Sequence, residues 1–193
     1  MAIAAAPPPF VASVAHVTAA QLGASWRPGC PVGPAQLRQV RLAYWDFDGR
    51  RRIGRIVVNV DATRTVVVVF RRLYRERFPI RRMQPVDAYR GSDDASMAAD
   101  NTSAFNCRAA VAAGPTTWSQ HAYGRAIDVN PLENPYLEGG RVLPPAGKAY
   151  ADRSIARKGM AEGSLVAAFA AAGWGWGGRW SSPDYQHFSA SGR

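Results

Sequence analysis

No stretch of this 193-residue chain approaches the roughly 20 consecutive apolar residues that a bilayer-spanning helix requires, so no transmembrane segment is expected. No internal repeat is apparent, which sets aside repeat architectures. Cysteine occurs only twice, as Cys30 and Cys107, far apart and without the close pairing of a structural zinc site or a redox motif. That spacing leaves open either one disulfide, which would imply an oxidising compartment, or two unrelated buried thiols. Lysine is confined to Lys148 and Lys158, so the basic charge is carried by arginine. Histidine occurs at three positions, His16, His121 and His187, which limits where imidazole chemistry can sit. Met1 to Val17 has no basic residue ahead of its Ala-rich part and does not read as a secretory signal.

What is present is the composition of a folding chain: 47% apolar and 20% charged residues, at a length suited to one domain with a real core. Twenty-four basic residues face 14 acidic ones, a net charge of +10 that favours polyanionic partners, either nucleic acid or an anionic cell envelope. The arginines are dispersed in short runs (Arg50 to Arg52, Arg71-Arg72, Arg81-Arg82) with no interleaved aromatic residues, which argues against nucleic acid.

Along the chain, Pro7-Pro8-Pro9 reads as part of an extended arm over residues 1–16, with a single folded domain over 17–193. Trp26 to Val32 reads as loop. Asp48-Gly49 predicts a hairpin turn leading into an alternating strand over Arg52 to Val60. Asp61 is the expected N-cap of a helix whose apolar residues Val66, Val69, Phe70, Leu73 and Tyr74 recur at helical spacing; Pro79 ends it, and a strand is expected over Ile80 to Val86. Asp87 to Gln120 lacks periodicity and is too long for an inert connection. Ala126 to Val129 has strand character, Ser164 to Ala172 reads as a helix stopped by Gly173, and Tyr185 to Ser189 as a last strand. The order predicts an α+β domain.

The residues that bear chemistry gather in the second half. His121 lies in SQHAYGRAIDVN, and Asp128 follows seven positions later across Gly124, a turn that can fold the carboxylate back beside the imidazole. His187 lies in SSPDYQHFSAS and would arrive from the C-terminal strand. Two histidines and one carboxylate form a known catalytic zinc set with a fourth position open for water, and Asp184, three residues before His187, is placed to act as general base. A lone histidine such as His16 reads as a surface or structural residue. Trp174, Trp176 and Trp180 could either line a cleft or close the core. Ser119 has no relay of its own and does not read as a nucleophile.

The patterns Ser-x-His-x-x-Gly-x-Ala-x-Asp (Ser119 to Asp128) and Asp-x-x-His-Phe (Asp184 to Phe188) resemble the LAS-type zinc metallopeptidases, the VanY-like group that includes D-Ala-D-Ala carboxypeptidases, D-Ala-D-Ala dipeptidases and L-alanyl-D-glutamate endopeptidases. The resemblance extends over the Trp174 to Trp180 run and, more loosely, over Asn101 to Arg108; the first 85 residues match much more weakly. It implies a small central antiparallel sheet flanked by helices, of the hedgehog/DD-peptidase kind. It also implies a zinc ion (Zn2+) held by His121, Asp128 and His187, with Asp184 as catalytic acid/base. Arg90, in Tyr89-Arg90, would stabilise the carbonyl oxyanion or bind substrate, and Ser119 would help to hold substrate. An Asp at position 184, where many relatives carry Glu, looks more like the endopeptidase branch.

The expected substrate is a peptide bond in peptidoglycan stems or crosslinks, with an anionic wall polymer as a further partner. The expected protein is a monomer, secreted or wall-associated with its export signal absent from this chain, or else a phage-type lysin made in the cytoplasm. The competing reading is a non-catalytic, zinc-stabilised module that binds wall peptides or an envelope protein.

Overall fold

A computed structural model describes residues 8–111 and 117–192. Among the described residues, ten strands and four α-helices follow one another as β1 (Ala12–His16), α1 (Ala19–Leu22), β2 (Leu37–Trp45), β3 (Arg51–Asn59), α2 (Thr63–Arg75), β4 (Arg82–Met83), α3 (Asp93–Ala98), β5 (Asn101–Thr102), β6 (Ala126–Asp128), β7 (Tyr136–Glu138), β8 (Arg141–Leu143), α4 (Gly163–Ala171), β9 (Gly175–Trp176) and β10 (His187–Ser189). This is the mixed α and β architecture expected. The strands do not form one central sheet, however: β1-β2-β3 and β6-β10-β9 are separate three-stranded antiparallel sheets, β4-β5 is a short parallel pair, and β7-β8 is a hairpin.

The hairpin between β2 and β3 turns at Asp46 to Arg50, where the Asp46 carboxylate accepts from the N–H groups of Asp48 and Arg50 and so replaces missing ladder bonds. Alternation along the two strands sends Val40, Leu42, Ile56 and Val58 into the main core. The four consecutive valines of α2 do not become a strand, because tertiary burial outweighs their local preference. Val66, Val69, Phe70, Leu73 and Tyr74 are all buried on one face, each contributing on the order of 2 kcal/mol. Truncating Leu73 to Ala would remove roughly 2–5 kcal/mol of this. The cap is shifted from its expected place. Asn59, not Asp61, accepts a backbone N–H at the start of a 3-10 turn over Val60–Ala62 that runs into α2, and Asp61 instead pairs with Arg125.

Three further expectations change. The arm was expected to run to residue 16, but Ala12–His16 pairs in antiparallel register with β2, so ordered structure begins ahead of Val17; Met1 to Pro7 lies outside the described residues. The strand expected over Ile80 to Val86 shrinks to two residues, because Pro85 removes a donor and a 3-10 turn follows. The long polar stretch from Asp87 holds α3, capped by Ser92, and β5. Cys30 and Cys107 form a disulfide, which ties the loop after α1 to the segment that leads toward His121.

The core joins both sheets. Ile127 and Phe188, partners across β6 and β10, turn inward, and Phe188 stacks on Phe169 of α4 with ring centroids 4.1 Å apart. Since side chains alternate along a strand, the next residues on β6 and β10 face the opposite way.

Candidate metal centre

Those next residues are Asp128 and His187, which are direct partners in the β6-β10 register. His121 reaches them from a 3-10 turn over Gln120–Tyr123. Ser119 opens that turn, its hydroxyl accepting from the His121 N–H at 3.3 Å, and Gly124 closes it in a left-handed conformation at φ +67°. A side chain at Gly124 is sterically forbidden as well, because its Cβ would sit 2.6 Å from the Asn59 nitrogen. The turn is thereby pressed against the end of β3, and the chain doubles back so that residues seven apart meet.

His121 Nε2 lies 3.1 Å from Asp128 Oδ2, His187 Nδ1 lies 3.2 Å from Asp128 Oδ1, and the two ring nitrogens are 3.2 Å apart. All three residues are buried, and one ligand atom from each falls within 4.8 Å of the others. The far nitrogen of His121, Nδ1, is 2.6 Å from the Ala104 carbonyl oxygen, an acceptor only, so it carries the proton. The ring's other nitrogen, Nε2, is the one that faces the cluster. A carboxylate and two imidazoles that converge in a buried place can hold a cation, and this donor set fits zinc with a position left for substrate or water.

Burial pushes the Asp128 carboxyl up, but the charges and hydrogen bonds of His121 and His187 outweigh it and hold the group well below the usual carboxylate range. Asp184 behaves oppositely. Burial, and then the charge of Asp128, push its carboxyl up to about 7, against the pull of His187 and Arg108. Its Oδ1 is enclosed and has no hydrogen-bond partner among the described residues. A carboxyl that exchanges its proton near neutrality beside a metal-ligand cluster has the character of a general acid/base.

Of the arginines, the one whose charge reaches Asp184 from the segment before His121 is Arg108. Arg108 pairs with Asp93 at 2.9 Å, and its Nε is buried without a hydrogen-bond partner among the described residues. Arg90, by contrast, is an exposed residue in a left-handed turn at φ 56° and is not among the charges that act on Asp184. The structure thus brings His121, Asp128 and His187 together with Asp184 beside them, and the arginine charge that acts on Asp184 is that of Arg108. The loose resemblance over Asn101 to Arg108 was the one signal that could have found it.

The rim is aromatic. The ring of Trp180 is 5.2 Å from that of His187, and Tyr136 bridges to Asp184 through the backbone, so the β7-β8 hairpin borders the acid. Trp174 closes the core instead, and Trp176 is tied through its Nε1 to the Tyr185 carbonyl.

Residues 113–190 match the family model described as D-alanyl-D-alanine carboxypeptidase. The match supports the LAS-type, VanY-like resemblance over the stretch that carries His121, Asp128, Asp184 and His187. Among curated proteins and among solved structures, none matches the chain significantly.

Proposed function

We propose, from the premise of that kinship, that the protein is a zinc-dependent peptidase that hydrolyses a peptide bond in bacterial peptidoglycan stem peptides or crosslinks. The observation that carries this reading is the convergence of His121, Asp128 and His187 beside the Asp184 carboxyl, whose Oδ1 has no hydrogen-bond partner among the described residues. His121, Asp128 and His187 would hold the zinc, which when bound polarises the scissile carbonyl and acidifies water. The Ala104 carbonyl keeps His121 in one tautomer and one orientation.

Asp184, its proton affinity raised to about 7, takes a proton from the attacking water and passes it to the leaving amine. Arg108, the arginine whose charge reaches Asp184, would stabilise the carbonyl oxygen as charge develops there, the role that the resemblance gave to Arg90. Ser119 acts first through the backbone by fixing the turn that carries His121, and its hydroxyl hydrogen is available to substrate. The positive charge suits an anionic wall, and a secreted or wall-associated location follows from the substrate. A free carboxyl beside the ligand set is what a purely structural zinc site does not need, and it sets the non-catalytic module in second place.

The test is to incubate the purified protein with peptidoglycan and with a D-Ala-D-Ala-terminated stem peptide, with zinc or with chelator, and to identify new termini by mass spectrometry. Zinc-dependent new termini are expected. Zinc retention with no cleavage of either substrate would return the protein to the binding-module class.

A further inference from the structure

We propose that the open face of the β1-β2-β3 sheet docks a phosphodiester polyanion of the cell wall, with Arg41 and Arg55 as its principal contacts. Arg41 of β2 and Arg55 of β3 are direct cross-strand partners, and Ser13 of β1 continues the same row. Directly opposed residues project from the same face, so two guanidinium groups stand side by side there. Like charges so placed cost stability, and no acid among the described residues pairs with either of them to offset the cost. Both residues are exposed, and neither has an ion pair or hydrogen bond among the described residues. The nearest acids along these strands are engaged elsewhere, Asp46 with Arg52 and Asp48 with Arg50.

The surroundings specify the kind of anion. Val11 and Ile53, 47% and 42% exposed, flank the row, and among the described residues no exposed Phe, Tyr or Trp ring stands on β1, β2 or β3 for a base to stack on. An extended chain of phosphates with an aliphatic backbone matches two adjacent guanidinium groups bordered by aliphatic side chains. Toward Leu37 and Val57 the same face is covered by Phe105 and Cys107, which belong to the segment that ends in Arg108. A polymer lying on the arginine row therefore runs beside the irregular segment that carries Arg108. The choice of a wall polymer rests on the peptidase reading; the cationic row does not.

The test uses the full chain and a synthetic poly(glycerol phosphate) oligomer, with affinity measured between about 50 and about 200 mM salt. The R41Q/R55Q double variant is expected to bind at least about 10-fold more weakly and with a shallower salt dependence, while an R64Q/R75Q variant, which loses the same charge from the exposed side of α2, stays within about twofold. Cleavage of a soluble stem peptide should be retained in both, and the melting temperature should fall in neither; loss of the like-charge pair should hold or raise it in R41Q/R55Q. An equal loss in the two variants would show that diffuse net charge does the binding, and tighter binding of poly(dT) than of the glycerol phosphate chain would make the face a nucleic-acid surface. A lower melting temperature in R41Q/R55Q would make the pair structural. Each of these three results overturns the proposal. Because binding is read without turnover, its failure leaves the peptidase reading standing, and an inactive peptidase leaves the binding result unchanged.

Discussion

Asp128 faces two imidazoles at once, and the three side chains stand or fall together as a cation site. His187→Ala should lower bound zinc, measured by elemental analysis, from near stoichiometric to background, since two ligands leave a buried site without the donor count that zinc requires. Asp184→Asn should keep the metal and lose turnover by roughly 100-fold or more, about 2.7 kcal/mol of transition-state stabilisation. A variant that keeps its rate would strip Asp184 of the acid/base role. Arg108→Ala should likewise cost roughly 100-fold in kcat/KM while zinc stays bound, whereas Arg90→Ala should cost less than about threefold. The reverse order would restore Arg90 to the site. The legibility of these residues in the sequence differs for a physical reason. His121 and Asp128 are joined by one tight turn, and Asp184 and His187 by another, so their spacing is local and can be read directly. Arg108 owes its place to burial and to a partner, Asp93, from a helix that no periodicity announced.

The disulfide acts on an element, not on a side chain. Cys107 is held to Cys30 across a separation of 77 residues, and the neighbouring backbone adds a bond from the Cys107 N–H to the Ser25 carbonyl and one from Arg27 Nη1 to the Cys107 carbonyl. Position 107 directly precedes Arg108, so the loop after α1 anchors the segment that delivers the arginine. Closing so long a loop restricts the unfolded chain, and a C30S/C107S variant should lose about 4 kcal/mol, read as a lower midpoint in urea. Its kcat/KM should fall while zinc content holds, and an unchanged kcat/KM would detach the bridge from the site. The elements that were legible beforehand, α2, α4 and the β2-β3 hairpin, combine strong periodicity with a clear turn or stop signal. The two-residue strands β4, β5 and β9 have no period to read; they exist because neighbours supply hydrogen-bond partners. Whether the cysteines meet was equally invisible, since sequence spacing carries no distance.

Across the whole molecule, the parts are locked together by a buried polar network behind the site. Asn130 donates to the carbonyls of Pro79 and Gly159, Asn134 donates to those of Val129 and Gly159, and Arg153 donates to those of Glu133 and Ala161. Glu133 and Asp100 lie buried within it, both reached by the partly exposed Arg81 at 3.5 and 3.4 Å. Burial, and then the charge and hydrogen bond of Asp100, push the Glu133 carboxyl up from 4.5 to about 8, against the weaker pull of Arg81. The folded protein thus holds a proton there that the unfolded chain releases at a lower pH. Its contribution is fully present below about 4.5 and is lost as pH rises toward about 8. Asp128, held low, works in the other direction, and its contribution is lost only in strong acid. Melting temperature should therefore fall between about pH 5 and about pH 8.5 in the native protein. Glu133→Gln keeps a neutral group of the same shape and should flatten that slope, with the two curves converging at the acid end and the variant the more stable at the alkaline end. Parallel curves for the two proteins would show that Glu133 does not carry the proton, and would move the linkage to another buried acid such as Asp184.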